Sequence, residues 1–153
     1  MRRLGVLALV LVATLGIVAL RAHATRPTTI RHSCGLTDRQ FLTNYQLQLE
    51  TIGMDGDSYL QGDLRGDDLI AASREAARVV RSWAPTDPTL QLARRLAPAM
   101  FGEYAEAVQA REEHRSASRH MYLAYSIGAR VEDVLREAQP ELEAAGCDVG
   151  DLV

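Results

Sequence analysis

The chain has 153 residues, 47% of them apolar and 24% charged, a balance that belongs to a folded globular protein and excludes a disordered one. All 17 basic residues are Arg, against 20 acidic ones. Without Arg2, Arg3 and Arg21 the remainder carries 14 basic and 20 acidic side chains, which excludes nucleic acid as a partner because its binding needs a basic surface.

Met1-Arg2-Arg3 opens the chain and is followed by an uncharged run rich in Leu, Val and Ala, residues 4–20. Its 17 residues lie at the lower edge of the roughly 17 to 25 that a spanning helix needs, and slightly exceed a usual signal-peptide core. Ala22-His23-Ala24 offers small residues at the two positions that signal peptidase reads. Arginines flank the run on both sides, so the positive-inside bias is weak. Two outcomes stay open: residues 1–24 are removed as a signal peptide after Ala24, or they are retained and hold the protein to the membrane through residues 4–20. Both place the rest outside the cytoplasm, in the cell envelope or secreted from it.

Residues 25–33 contain Pro27 and no apolar period, and read as an extended tether. The domain proper spans 34–153. In Leu36-Thr37-Asp38-Arg39-Gln40-Phe41, Thr37 is placed to cap a first helix, Gln40 to cap in return and Leu36 to staple Phe41. Phe41, Leu42, Tyr45, Leu49 and Ile52 then form one stripe that ends before Gly53. A second helix starts at Asp67 or Asp68, whose carboxylate caps free amides, and is lined by Leu69, Ala72, Ala76, Val80 and Trp83 up to Pro85. Asp87 caps the third, with Pro88 in its first turn; Ala93, Leu96, Ala97, Met100, Tyr104 and Val108 line it, and Pro98 is expected to kink it.

Met121, Ala124, Gly128, Val131, Leu135, Ala138 and Leu142 form the stripe of a fourth helix, with Gly146 placed to end it in the left-handed conformation. Between the third and fourth stripes lies a polar stretch, residues 112–119, without Gly or Pro, so one continuous helix from Pro88 to Gln139 must also be weighed. The cysteines arbitrate. Cys34 precedes the first helix and Cys147 follows the last, so in an up-down-up-down bundle they share one end, whereas a helix of about 50 residues would carry them tens of ångströms apart. The expected fold is all-α, a four-helix bundle closed by a Cys34–Cys147 disulfide.

Chemistry is sparse. Asp55, Asp57, Asp63, Asp67 and Asp68 alternate with glycines over residues 54–68, but the EF-hand register fails, with Tyr59 at the third ligand position and Asp68 at the twelfth, and a flexible acidic turn is expected instead. His23, His32, His114 and His120 have no metal-ligand spacing, and no cofactor motif occurs. Neither nucleophile-elbow nor phosphate-cradling signatures are present, which points away from an enzyme. The expected function is a non-catalytic interaction or structural module with a protein partner in the envelope. The alternative is a small-ligand-binding bundle with a pocket near Pro98, lined by Met100, Phe101, Tyr104, Tyr122 and Tyr125.

Overall fold

The computed structural model describes residues 31–153, of which His32–Val153 form one compact unit. The described residues are all-α, with no strand among them: α1 Leu36–Gln61, α2 Gly66–Ser82, α3 Pro88–Glu112 and α4 Ser118–Ala144, followed by a single 3-10 turn at Gly150–Leu152. None of these helices is long and apolar enough to cross a membrane. The proposed membrane or signal segment, the Ala24 cleavage point and most of the tether lie outside the described residues.

Residues 31–35 are irregular, and α1 is capped two residues earlier than expected. Gly35 is the capping residue, Leu36 is largely exposed rather than stapled to Phe41, and Asp38 takes the third helical position that caps in return. Its carboxylate accepts the Gly35 N–H at 2.8 Å and, from the start of α3, the Thr86 N–H, the Thr86 hydroxyl and the Asp87 N–H at 2.6, 2.6 and 3.0 Å. Thr37 therefore does not cap. A carboxylate is the stronger acceptor, and here it gathers four donors at once, which Thr37 cannot do.

Helix α1 also runs on past Gly53 to Gln61, which corrects the expected end at Gly53 and the expected flexible acidic turn: Asp55 and Asp57 are helical, and the connection is Gly62 to Arg65 alone. The true stop is Gly62 at φ 86°, with the Asp63 N–H donating to the Ser58 carbonyl at 2.9 Å. Asp67 and Asp68 occupy the first turn of α2, where they complement the helix dipole, but the capping position is Arg65 and makes no side-chain cap bond.

Asp87 and Pro88 start α3 as expected, the Asp87 carboxylate accepting the Thr89 and Leu90 amides at 2.8 and 3.3 Å. Pro98 lies inside α3. A break between α3 and α4, where His114 adopts φ 54°, disposes of the single long helix. At the far end of α4, Gly146 at φ 92° lets the Gly146 and Cys147 amides donate back to Glu143 and Leu142, both at 2.9 Å.

Packing follows chain order: α1 lies on α2, α2 on α3 and α3 on α4, while α1 and α4 hardly approach each other backbone to backbone. One core joins all four helices through Phe41, Tyr45, Val80, Leu90, Phe101, Leu135 and Leu142. Cys34 and Cys147 form the expected disulfide, with alpha carbons 5.4 Å apart, and Cys147 is buried in the core beside Leu142 and Val149.

Candidate functional site

Two features stand apart from ordinary helix packing, one at each end of the α1–α4 seam. At the disulfide end, Asp38 and Asp87 are both fully buried. Asp87 uses one oxygen to cap α3 and the other to accept the Ser33 N–H at 3.2 Å, with the His32 Nδ1 3.1 Å away. The last two residues of the expected tether, His32 and Ser33, are thus pinned to the helices. Burial pushes the Asp38 carboxyl up, but the Thr86 hydroxyl and the Asp87, Gly35 and Thr86 amides outweigh it, and the group titrates below its ordinary value. Every oxygen of the two carboxylates has a donor, as buried charge requires, so the cluster is a structural lock rather than a site with free valences. The C-terminal tail plugs the same end of the seam: Leu152 and Val153 pack on the core, and Gln46 Nε2 on α1 reaches Asp151 at 3.5 Å.

Farther along, the seam is open. A groove of about 490 Å³ runs between α1 and α4 over α3. Its α1 wall is Leu49, Ile52, Gly53, Gly56, Asp57 and Leu60. Its α4 wall is Met121, Ala124, Tyr125, Gly128, Ala129 and Glu132. Counted from the first residue, both walls step by three, four, seven, eight and eleven, the face that one side of a straight helix presents over three turns. The floor comes from α3: Met100, Phe101 and Tyr104. A second hollow of about 320 Å³ shares Leu60, Tyr104 and Met121 with it and extends the trough towards Arg111 and Ser118.

Glycines set the shape of these walls. A Cβ at Gly56 would lie 2.7 Å from the Tyr104 hydroxyl, and one at Gly128 would lie 3.1 Å from the Met100 sulfur, so α3 side chains nest against bare helix backbone. A Cβ at Gly53 would meet nothing within 4 Å and would point into free space. The rims are apolar and wet: Leu60 is 66% exposed and Tyr125 77%. Burial raises the Tyr104 hydroxyl above its ordinary pKa, and the Asp57 and Asp55 charges push it further the same way, so it remains a neutral donor. Among the described residues neither Asp55 nor Asp57 has a cationic partner, whereas Glu132 on the opposite wall is held by Arg136.

Of the expected pocket residues, Met100, Phe101, Tyr104 and Tyr125 line this groove together. Tyr122 does not: at 70% exposed it stands about 100° around α4 from Met121, and the register that puts Met121 and Tyr125 on the wall turns it away. The entire α1 wall was missed, because a helix thought to stop before Gly53 cannot supply Gly56, Asp57 and Leu60. Among the described residues no group of three or more His, Cys, Asp or Glu side chains is placed to hold a metal ion. His120 pairs with Glu103 at 2.8 Å, and among the described residues no hydroxyl or thiol is hydrogen-bonded to that pair. No protein-family model matches the chain, and no curated protein or solved structure is significantly similar to it.

Proposed function

We propose that this protein is a non-catalytic interaction module that works outside the cytoplasm, and that the open half of the α1–α4 seam receives a segment of another protein. The four helices are read as an up-down-up-down bundle with three closed seams and a fourth that is closed at one end only. The observation that carries the proposal is the matched pair of walls, with helical spacing on both sides and exposed apolar rims at Leu60, Met121 and Tyr125. The disulfide agrees with an oxidising compartment, to which residues 1–24 would direct the chain as a cleaved signal or a retained anchor.

A second reading has its own support: a trough of about 490 Å³ with an apolar floor is also of the size that small apolar ligands occupy. Site-specific photo-cross-linking in intact cells separates the two. A photoreactive side chain at Tyr125, on the rim, is expected to yield a discrete protein adduct that is lost when Gly53→Leu fills the groove, whereas the same probe at Leu47 yields none. Equal adducts from both positions, or no protein adduct from Tyr125, would contradict the interaction reading.

A further inference from the structure

We infer that the segment received by the groove is an amphipathic α-helix of about three turns on a partner protein, apolar along one face and basic along the edge that meets Asp57. The inference rests on the interaction reading above and deepens it.

Length and register come first. Each wall advances eleven residues, about 17 Å at the rise of an α-helix, and presents a new pair of lining positions once per turn. Knobs spaced three and four residues apart on a third helix meet such walls in step.

Backbone chemistry selects helix over extended chain. The floor of Met100, Phe101 and Tyr104 offers one side-chain polar oxygen, the Tyr104 hydroxyl. An extended peptide laid on it would bury N–H and C=O groups without partners, whereas a helix satisfies its own. The absent side chain at Gly53 and the small ones at Ala124, Gly128 and Ala129 leave room for a helix to approach the walls closely.

Charge fixes the edge. On the α1 wall Asp57 has no cationic partner among the described residues; on the α4 wall Glu132 is engaged by Arg136, which it shares with Asp133. The lining carboxylate without a counter-charge lies on the α1 rim, so the complementary helix is basic on that edge.

A second copy of the chain fits poorly. Its exposed large apolar side chains within the described residues all lie on α1 and α4, where acidic residues outnumber arginines by four to one and by five to three, the wrong sign to meet Asp57.

The test uses the full-length, disulfide-bonded protein and three synthetic 18-residue peptides: a Leu/Ala-striped helix with one Arg-lined edge, the same helix with Glu on that edge, and a scrambled sequence of the first. Palmitate serves as the small apolar probe. The Arg-edged helix is expected to bind about threefold more tightly than the Glu-edged one at low salt, the sum of one gained attraction and one avoided repulsion at the surface. That preference should shrink at high salt and vanish in Asp57→Asn. Gly53→Leu, which places its side chain in free space, should weaken the Arg-edged helix more than about tenfold while thermal unfolding stays intact.

Equal binding of the two edges, or a preference unchanged in Asp57→Asn, overturns the basic edge. Scrambled peptide or palmitate binding more tightly than either helix overturns the helical occupant, as does no helix binding below about 1 mM. In each of these cases the interaction reading survives if the Tyr125 cross-link is still blocked by Gly53→Leu. Dimerisation of the chain abolished by that substitution would assign the groove to a second copy instead.

Discussion

At Cys34 and Cys147 the first and last helices are tied together with alpha carbons 5.4 Å apart; between Leu49 and Leu60 the same two elements leave a groove of about 490 Å³. The difference lies in what each end places between them. The disulfide end has a covalent link, two buried carboxylates whose oxygens all have donors, and a C-terminal tail packed on the core. The distal end has glycines, an apolar floor and Asp57 without counter-charge among the described residues. The seam is finished at one end and open at the other, and the two ends should respond to mutation in opposite ways.

The largest effect is expected at the closed end. Replacing both cysteines by Ser releases a loop of 113 residues and should cost about 4 to 5 kcal/mol in the chain-entropy picture, read as a lowered urea midpoint. A change under about 1 kcal/mol would mean that the tail and the carboxylates hold this end unaided. Next, Asp38→Ala strands four buried or half-buried donors and should cost about 3 kcal/mol. Because the folded Asp38 carboxyl titrates below its ordinary value, its contribution is complete above about pH 4 and is lost as pH falls through that lowered value. Asp38→Asn should accordingly flatten the fall in stability expected below about pH 4.

The open end gives smaller effects whose sign carries the information. Gly56→Ala gains helix propensity but drives a Cβ to 2.7 Å from the Tyr104 hydroxyl, so it should destabilise by about 1 kcal/mol in the native sequence and stabilise in a Tyr104→Phe background. Destabilisation in both backgrounds would show that the close approach involves more than that hydroxyl. Gly53→Ala, facing free space, should stabilise by about 0.5 to 1 kcal/mol, the smallest effect of the series. A loss there would mean that the groove wall is packed against something.

The closed end was the more legible in the sequence, because local chemistry built it. Asp87-Pro88 announces a helix start, Gly146 a helix stop, and two cysteines outside the four stripes a bridge. Asp38 was missed because its strongest partners, Thr86 and Asp87, lie 48 and 49 residues away, and sequence-local capping rules favour Thr37 instead. The open end was half legible. Met100 and Tyr104 stand on a clear stripe, but Gly53 reads as an end to α1, although a single interior glycine costs a helix only about 1 kcal/mol. The core contacts of Phe41, Tyr45 and Ile52 lie in the same helix, which continues through both glycines. Tyr122 joins the expected pocket by its aromatic side chain alone, but register decides which side of α4 a residue faces.

The most direct test of the two-ended account is a titration of the isotope-labelled full-length protein with the Arg-edged helical peptide, read at the glycine amides. Glycines mark both ends: Gly53, Gly56 and Gly128 line the groove, whereas Gly35 and Gly146 flank the disulfide. The account predicts saturable shifts at Gly53, Gly56 and Gly128 with Gly35 and Gly146 unmoved. Shifts centred on Gly35 and Gly146, or spread evenly over all five, would contradict it.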